Sequence, residues 1–196
     1  SKLSTKTFVV KNGVDFETFQ SGYSIQKNKK KVVGYIGSID NRLDIDLLKK
    51  IIVALPYVKF VFIGRVVHSL SEKKLAKFPN VIIKQPLKPV KLALELKNFH
   101  FGIIPFIKNE FTKNIYPLKI NEYLAAGLPI ISTNFADLED FKKNSFISDS
   151  PEKIINFLKR DDLWTYDQMK SRQEFAEKNS WNQRVLNEFL PLIDID

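Results

Sequence analysis

The chain has 196 residues, no cysteine and a formal net charge of +9 at pH 7, from 31 basic and 22 acidic residues. Hydrophobic residues make up 44% and charged residues 27%, as in an ordinary globular protein, and no apolar run reaches the roughly 20 residues that span a bilayer. The absence of cysteine excludes disulfide and thiolate chemistry, and a reducing compartment is compatible with it though not shown by it.

The positive charge raises the question of polyanionic partners, namely nucleic acid, anionic lipid or phosphorylated small molecules. The lysines form short runs, such as residues 27–31, and scattered singles. Most aromatic residues are phenylalanines inside apolar runs, and they are not interleaved with arginine as base-stacking platforms usually are. This dispersal favours a solvated surface, so we predict no nucleic-acid partner.

Strand-like and helix-like segments alternate along the chain. The strand-like segments are short β-branched or aromatic runs, and the helix-like segments repeat apolar residues at helical spacing. In chain order we predict strand 31–37, helix 44–55, strand 58–64, helix 69–78 with Ser69 as its cap, strand 80–84, helix 89–98, strand 99–106, helix 117–126 and strand 129–133. A weak strand at 145–148 and helices at 151–160, 163–179 and 180–193 follow.

Strand–helix units that recur every 25 to 35 residues or so are typical of a parallel sheet covered by helices on both faces. We therefore predict one doubly wound α/β domain with a helical C-terminal tail. In such sheets ligands bind outside the carboxyl ends of the strands, where glycine turns let the backbone approach phosphate. Two predicted strands end in glycine, at Gly37 and Gly64. Neither continues as G-x-G-x-x-G or G-x-x-x-x-G-K-[ST], which disfavours a dinucleotide-dependent dehydrogenase and a P-loop NTPase.

Seven stretches, taken in order, carry a resemblance to a known family. They are VVKNGVDFETF (9–19), VVGYIGSI (32–39), FVFIGR (60–65), FPNVIIKQPL (78–87), FGIIPF (101–106), YPLKINEYLAAGLPIIST (116–133) and FAEKNSWNQRV (175–185). Their order and spacing resemble the C-terminal, nucleotide-sugar-binding domain of GT-B glycosyltransferases. The likeness is greatest to the large retaining group 1, or family 4-like, enzymes, which include bacterial polysaccharide enzymes.

The resemblance implies a Rossmann-like domain at residues 31–160, preceded by an interdomain linker at 1–30. It implies that the helices of 161–196 pack back towards an N-terminal domain that this chain lacks. The implied activity is transfer of a hexosyl group from a nucleotide-diphosphate sugar to an acceptor sugar or lipid-linked glycan held by that other domain. No metal or other cofactor is expected. The full-length protein is expected in the cytoplasm or peripherally at the inner face of the membrane, and this chain alone is expected to bind nucleotide but to transfer little or no sugar.

The helix predicted at 117–126 starts with features that suit an anion. Pro117 fits the first helical position, and the amides of residues 118–120, beginning at Leu118, are then expected to point outward with the positive end of the helix dipole. Lys119 could meet the diphosphate and the charge that grows on it as the glycosidic bond breaks. Glu122 lies about 60° round the helix, and a carboxylate can accept from two ribose hydroxyls. The alternative is a solvent-facing i,i+3 ion pair with no ligand.

The E-x7-E signature of the family is only half present. Its second Glu matches Glu122, which by resemblance contacts the ribose, but the first falls on Asn114. By resemblance this position contacts the donor sugar. Asn114 can hydrogen-bond a sugar hydroxyl but carries no charge, so the donor sugar and the retaining or inverting outcome stay open.

Further donor contacts are expected beside the two glycine turns. Arg65 is a candidate diphosphate clamp, because its planar fork fits phosphate oxygens, although a solvated loop arginine is equally compatible. Ser38 and Arg42 stand near the place where the family has a basic pair. By resemblance, the backbone of Lys84 and Gln85 contacts the base.

The remaining polar motifs give weaker predictions. His100 lies inside an apolar run and is predicted to be structural, whereas His68 is a candidate phosphate donor. The sequence DID occurs at 44–46 and 194–196 and formally matches a metal-binding D-x-D, but the first begins a helix and the second ends the chain, so no metal site is predicted. Two other functions stay open: a non-catalytic nucleotide-binding or regulatory module of the same fold, and a nucleic-acid-binding domain that uses the positive charge.

Overall fold

The computed structural model of the chain describes residues 8–25 and 30–193. The strands of its sheet are β1 (Val32–Ile36), β2 (Lys59–Ile63), β3 (Val81–Lys84), β4 (Phe101–Ile104), β5 (Ile130–Ser132) and β6 (Ser145–Ile147). They lie in the order β3-β2-β1-β4-β5-β6, and every neighbouring pair is parallel. This is the order of a doubly wound fold, so the predicted parallel sheet is confirmed.

The helices within the described ranges are α1 (Phe16–Gln20), α2 (Ile45–Ala54), α3 (Ser69–Leu75), α4 (Pro89–Leu96), α5 (Leu118–Ala125), α6 (Pro151–Leu158), α7 (Tyr166–Lys178), α8 (Trp181–Arg184) and α9 (Leu190–Ile193). Helix α2 packs against α3 and α6, whereas α1 packs against α4 and α5. Helices therefore cover both faces of the sheet, as predicted. None of these helices is long and apolar enough to cross a membrane.

The strands are continuous apolar runs because both of their faces are covered. Every residue of β1 and of β4 is buried. This pattern is expected for parallel strands between two helical layers and differs from the alternation of a strand with one wet face. The core therefore runs along both sides of the sheet, and polar groups that bind a ligand are left to the strand ends.

Three details differ from the predictions. Ser69 is not the cap of α3, because His68 occupies that position. The amides of Val67 and His68 both donate to the Ile39 carbonyl, which fixes the chain just before the helix. The segment predicted as one helix at 180–193 is α8 and α9 joined by a π-helical turn at Val185–Phe189, and we call Trp181–Ile193 the tail helix. Helix α1 lies in the predicted linker and was not predicted.

The first described segment and the tail helix are held together by backbone bonds. The Val14 amide donates to the Asn179 carbonyl at 3.0 Å, and the Trp181 amide donates to the Val14 carbonyl at 3.1 Å. Ser180, which accepts from the Gln183 amide, caps the tail helix between these two bonds. The start of the tail is therefore anchored to the segment that precedes the sheet.

Candidate functional site

The strand order turns back between β1 and β4, and the place where these two strands separate is where doubly wound folds have their ligand crevice. These strands pair only at Val33 with Phe101 and at Gly34 with Gly102. Beyond that point the hydroxyl of Tyr123, a residue of α5, takes the place of β4: it accepts from the Ile36 amide at 2.8 Å and donates to the Gly34 carbonyl at 3.2 Å. Tyr123 is fully buried, so α5 is fixed to the crevice in which doubly wound folds bind ligands. This role of Tyr123 was not predicted, because a tyrosine in an apolar helix gives no signal of such a bond.

The two glycine turns meet beside this crevice. Gly37 has a φ of 150°, a conformation that L side chains rarely adopt. A Cβ atom on Gly64 would lie 1.9 Å from the Gly37 carbonyl oxygen, so only glycine allows the two loops to approach this closely. The backbone requirement for both residues is thus explained, while their contact with a donor stays a prediction.

The start of α5 differs from the prediction. The helix begins at Leu118, which is half-buried, and Pro117 is its N-cap rather than its first residue. The Leu118 amide donates to the Tyr116 carbonyl and the Ile120 amide to the Pro117 carbonyl, both at 2.9 Å. The prediction of three free amides is therefore wrong, because the proline turn uses two of them. In the part of the chain that the structure describes, the Lys119 amide is the one of the three without an acceptor.

Lys119 and Glu122 lie side by side as predicted. The Lys119 Nζ atom is 3.0 Å and 2.9 Å from the two carboxylate oxygens of Glu122. The side chain of Glu122 is only 8% exposed, whereas that of Lys119 is 38% exposed. The alternative of a solvent-facing pair is therefore wrong for the carboxylate.

Burial dominates the electrostatics of this pair. It raises the pKa of the Glu122 carboxyl, and the charge and hydrogen bonds of Lys119 offset this only in part. A carboxylate has about four lone-pair sites, and Lys119 is the partner of Glu122 among the described residues. Glu122 therefore keeps the capacity to accept from two more donors, which is what a pair of vicinal hydroxyls requires.

Arg42 is held within its own loop. Its guanidinium donates to both carboxylate oxygens of Asp40, at 2.6 to 3.0 Å, and lies 5.1 Å from the centre of the Phe106 ring. The bond to Asp40 further raises the pKa of Arg42. Ser38 is half-buried, and its carbonyl accepts from the Tyr35 hydroxyl at 2.8 Å. Donor contacts by Ser38 and Arg42 stay predictions, and a phosphate would have to share Arg42 with Asp40.

Arg65 is exposed directly after Gly64, and its carbonyl accepts from the Ile39 amide at 2.9 Å. Within the described ranges its guanidinium has no ion-pair partner, so it is available to an anion at this edge of the sheet. The Lys84 carbonyl accepts from the Gly64 amide at 3.1 Å, and its Nζ atom pairs with Glu95 at 2.8 Å. Gln85 is exposed at the end of β3. Base contacts by Lys84 and Gln85 stay predictions.

Asn114 lies on the 3-10 turn that precedes α5. It is exposed in a 3-10 turn at Thr112–Asn114, and its Nδ2 atom donates to the Glu110 carbonyl at 3.1 Å. With Tyr116 and the ion pair of Lys11 and Asp140 it lines a cavity of about 210 Å³ that does not include Lys119 or Glu122. In this cavity Asn114 is not accompanied by Glu122, and a donor-sugar contact by Asn114 stays a prediction.

The two histidines have different surroundings. His100 is buried, and its Nδ1 atom accepts from the Val32 amide at 3.0 Å, which confirms the structural prediction. The His68 Nδ1 atom lies 2.9 Å from the Ser71 hydroxyl, and a phosphate contact by His68 stays a prediction. Asp44 of the first DID caps α2 by accepting from the Leu47 amide, and the second DID lies outside the described residues.

A parallel sheet of this strand order, with helices on both faces, defines a doubly wound, Rossmann-like domain. Residues 30–160, which are more than half of the chain, match the family described as Glycosyl transferases group 1. The chain belongs to this family of glycosyltransferases.

The relatives extend this result. The chain is 29% identical over 146 residues to the putative teichuronic acid biosynthesis glycosyltransferase TuaH of Bacillus subtilis (strain 168), and this match covers 70% of the chain and 37% of TuaH. Its fold resembles sucrose-phosphate synthase from Thermosynechococcus elongatus, with a TM-score of 0.74, 16% identity and coverage of 93% of this chain and 51% of the synthase. It also resembles Anabaena Alr3699/HepE in complex with UDP and glucose, with a TM-score of 0.65, 13% identity and coverage of 88% and 52%. The chain thus spans about a third to a half of the length of these proteins.

Proposed function

We propose that this chain is the donor-binding half of a glycosyltransferase, which binds a nucleotide-diphosphate sugar at the crevice between β1 and β4. The full-length enzyme would transfer a hexosyl group to an acceptor in polysaccharide or glycoconjugate biosynthesis. The observation that carries the proposal is the buried carboxylate of Glu122, held beside Lys119 at the start of α5 and left with unused acceptor capacity. The TuaH relative, named for teichuronic acid biosynthesis, and the HepE structures with UDP and UDP-glucose support it.

The chemistry rests on positioning and on charge stabilisation. Glu122 accepts from the two ribose hydroxyls and thereby fixes the nucleoside. Lys119, its own amide and Arg65 then face the diphosphate, whose negative charge grows as the bond to the sugar breaks. Gly37 and Gly64 let the backbone approach the diphosphate closely. No metal or other cofactor takes part in this proposal.

The acceptor would be a sugar or lipid-linked glycan bound by an N-terminal domain outside this chain. The tail helix supports such an arrangement, because it exposes a row of large apolar side chains. These are Trp181, Val185, Leu186, Phe189 and Leu190, which are 41% to 57% exposed. An N-terminal domain would cover this row, and the chain alone would bind nucleotide but transfer little sugar. The full-length protein would work in the cytoplasm or at the inner face of the membrane, where lipid-linked acceptors are accessible.

A second candidate is a non-catalytic nucleotide-binding or regulatory module of the same fold. Asn114 favours it, because this residue replaces the first Glu of the signature and uses its amide on the Glu110 carbonyl. Activity measurements on the full-length protein would separate the two candidates. If the full-length protein binds nucleotide but transfers no sugar to any acceptor, it is the non-catalytic module. Sugar transfer to an acceptor would establish that it is an enzyme.

The nucleotide proposal is tested by titration calorimetry of UDP, GDP, ADP and their sugars against the wild type, Glu122→Ala and Glu139→Ala. Glu139 forms an i,i+3 pair with Lys142 and is 71% exposed, so it is a matched control. Loss of hydrogen bonds to a charged acceptor costs about 1.5–3 kcal/mol, or roughly a tenfold to a hundredfold loss of affinity. We expect this loss in Glu122→Ala alone, with unchanged circular dichroism. A wild type that binds none of the panel would contradict the proposal.

A further inference from the structure

Arg184 of the tail helix links three parts of the molecule. Its side chain is only 12% exposed. It forms an ion pair with Glu188 one turn further on and donates to the side chain of Asn179, which ends α7. Its Nη2 atom also lies 3.4 Å from the hydroxyl of Tyr116, which precedes α5 by two residues. Arg184 therefore joins the tail helix to the start of the helix that carries Lys119 and Glu122.

The Tyr116 hydroxyl continues this connection into α5. It lies 3.4 Å from the Nδ2 atom of Asn121, which is fully buried and directly precedes Glu122. The Tyr116 ring packs on Phe141 with 5.5 Å between the ring centres, so its hydroxyl is held between the two side chains. A continuous path of polar contacts thus runs from Arg184 through Tyr116 to Asn121.

Two polar atoms of this path are buried without a partner among the described residues. They are the Asn121 Oδ1 atom and the Arg184 Nε atom. Rotating the Asn121 amide by 180° would only exchange which of its atoms is unpaired. Buried polar groups are rarely left this way, and such groups call for a specific explanation. Both contacts to the Tyr116 hydroxyl are also about 0.5 Å longer than an ordinary hydrogen bond, so each is a weak link of the path.

We infer that Arg184, Tyr116 and Asn121 are positioning residues that couple the tail helix to the donor site on α5. This inference rests on the proposed function. A shift of the tail by a fraction of an ångström towards Tyr116 would shorten the Arg184–Tyr116 contact and hold the segment that leads into α5 more firmly. A surface that covers the exposed apolar row of the tail would drive such a shift. By linkage, a nucleotide bound at α5 would strengthen the docking of that surface by the same factor.

The test compares Arg184→Met, Tyr116→Phe and their double mutant with Trp181→Ala in the 196-residue chain. Trp181 is the control, because it belongs to the same tail and is none of the described hydrogen-bond or ring partners of Tyr116. Hydrogen–deuterium exchange of the amides 118–122 reports on α5 without any ligand, and calorimetry gives the Kd for UDP. We expect both single mutants to exchange faster in this turn and to bind UDP about fivefold to twentyfold more weakly. The double mutant should be no weaker than the singles, since both break one path.

Trp181→Ala should lower Tm and leave both readouts unchanged. The inference is overturned if Arg184→Met only lowers Tm as Trp181→Ala does, or if the effects of the two single mutants add. A wild type that does not bind UDP counts against the proposed function for this nucleotide. The exchange of α5 then still decides the coupling, because that measurement needs no nucleotide.

Discussion

Tyr123→Phe removes one oxygen atom from the point where β1 and β4 separate. It should lower the free energy of unfolding far more than removal of a hydroxyl from the protein surface. The ring stays, so the packing of α5 on the sheet is unchanged. The Ile36 amide, buried in β1, loses its acceptor, which costs about 1–3 kcal/mol, and the lost bond to the Gly34 carbonyl adds about 1 kcal/mol. We therefore expect a loss of about 2–4 kcal/mol in the free energy of unfolding, or roughly 5–15 °C in Tm.

Urea unfolding followed by circular dichroism measures this loss directly. Tyr57→Phe is the control, because the Tyr57 side chain is 56% exposed, and its substitution should change stability by less than about 0.5 kcal/mol. If Tyr123→Phe also stays within about 0.5 kcal/mol at an unchanged m-value, the hydroxyl does not replace the missing strand pairing, and the argument that it fixes α5 to the crevice fails.

Three further substitutions test other parts of the structure. Burial raises the pKa of Glu122, so ionisation of this carboxyl lowers the free energy of unfolding as pH rises above the ordinary carboxyl value near 4.5. Glu122→Gln should therefore gain stability relative to wild type between pH 4 and pH 7 in urea titrations. A difference in stability that does not change with pH would contradict this. Gly64→Ala places a Cβ atom 1.9 Å from the Gly37 carbonyl oxygen and should cost about 3 kcal/mol or more in the same titration, so a variant as stable as wild type would refute the close approach. Burial lowers the pKa of the Arg172 guanidinium to about 10, and this group donates to two backbone carbonyls. Arg172→Met should lower the free energy of unfolding by about 2–4 kcal/mol, measured by thermal unfolding. An unchanged Tm would show that these carbonyls find other donors.

The sequence predicts the sheet well because the relevant signals are local and repeated. Apolar runs that end in glycine, separated by segments of helical spacing, require a parallel sheet with covered faces, and the structure has it. Helix α1 was missed because its five residues are too few for a periodic pattern, although Asp15 caps it by accepting from the Thr18 amide. The cap of α3 was misplaced because two preceding amides bind Ile39, a residue of another loop. Such long-range bonds leave no trace in a local pattern.

In the candidate site, too, features set by local geometry were predictable and features set by long-range packing were not. The side-by-side placement of Lys119 and Glu122 follows from helix geometry and was predictable, whereas the burial of Glu122 depends on what packs around α5. The bond between Arg42 and Asp40, two residues earlier, was not predictable because it depends on how their loop folds, and a donor contact by Arg42 stays a prediction. The number of free amides at α5 was overestimated, because the conformation of Pro117 makes a turn of its own before the helix.

Lys119 and Glu122 are both unfavourable choices for the stability of α5 alone. A lysine in the first turn faces the positive end of the helix dipole, where an anion would be preferred. Two other Lys–Glu pairs at the same spacing keep their glutamates in water, with Glu110 and Glu139 at 91% and 71% exposure, whereas Glu122 is at 8%. A neutral side chain of similar size at 122 would avoid the cost of burying a charge, which Lys119 offsets only in part. The buried carboxylate accounts for a cation at 119, while the burial of the carboxylate itself has no such partner among the described core residues; in the proposed function ribose hydroxyls would compensate Glu122 and a diphosphate would compensate Lys119.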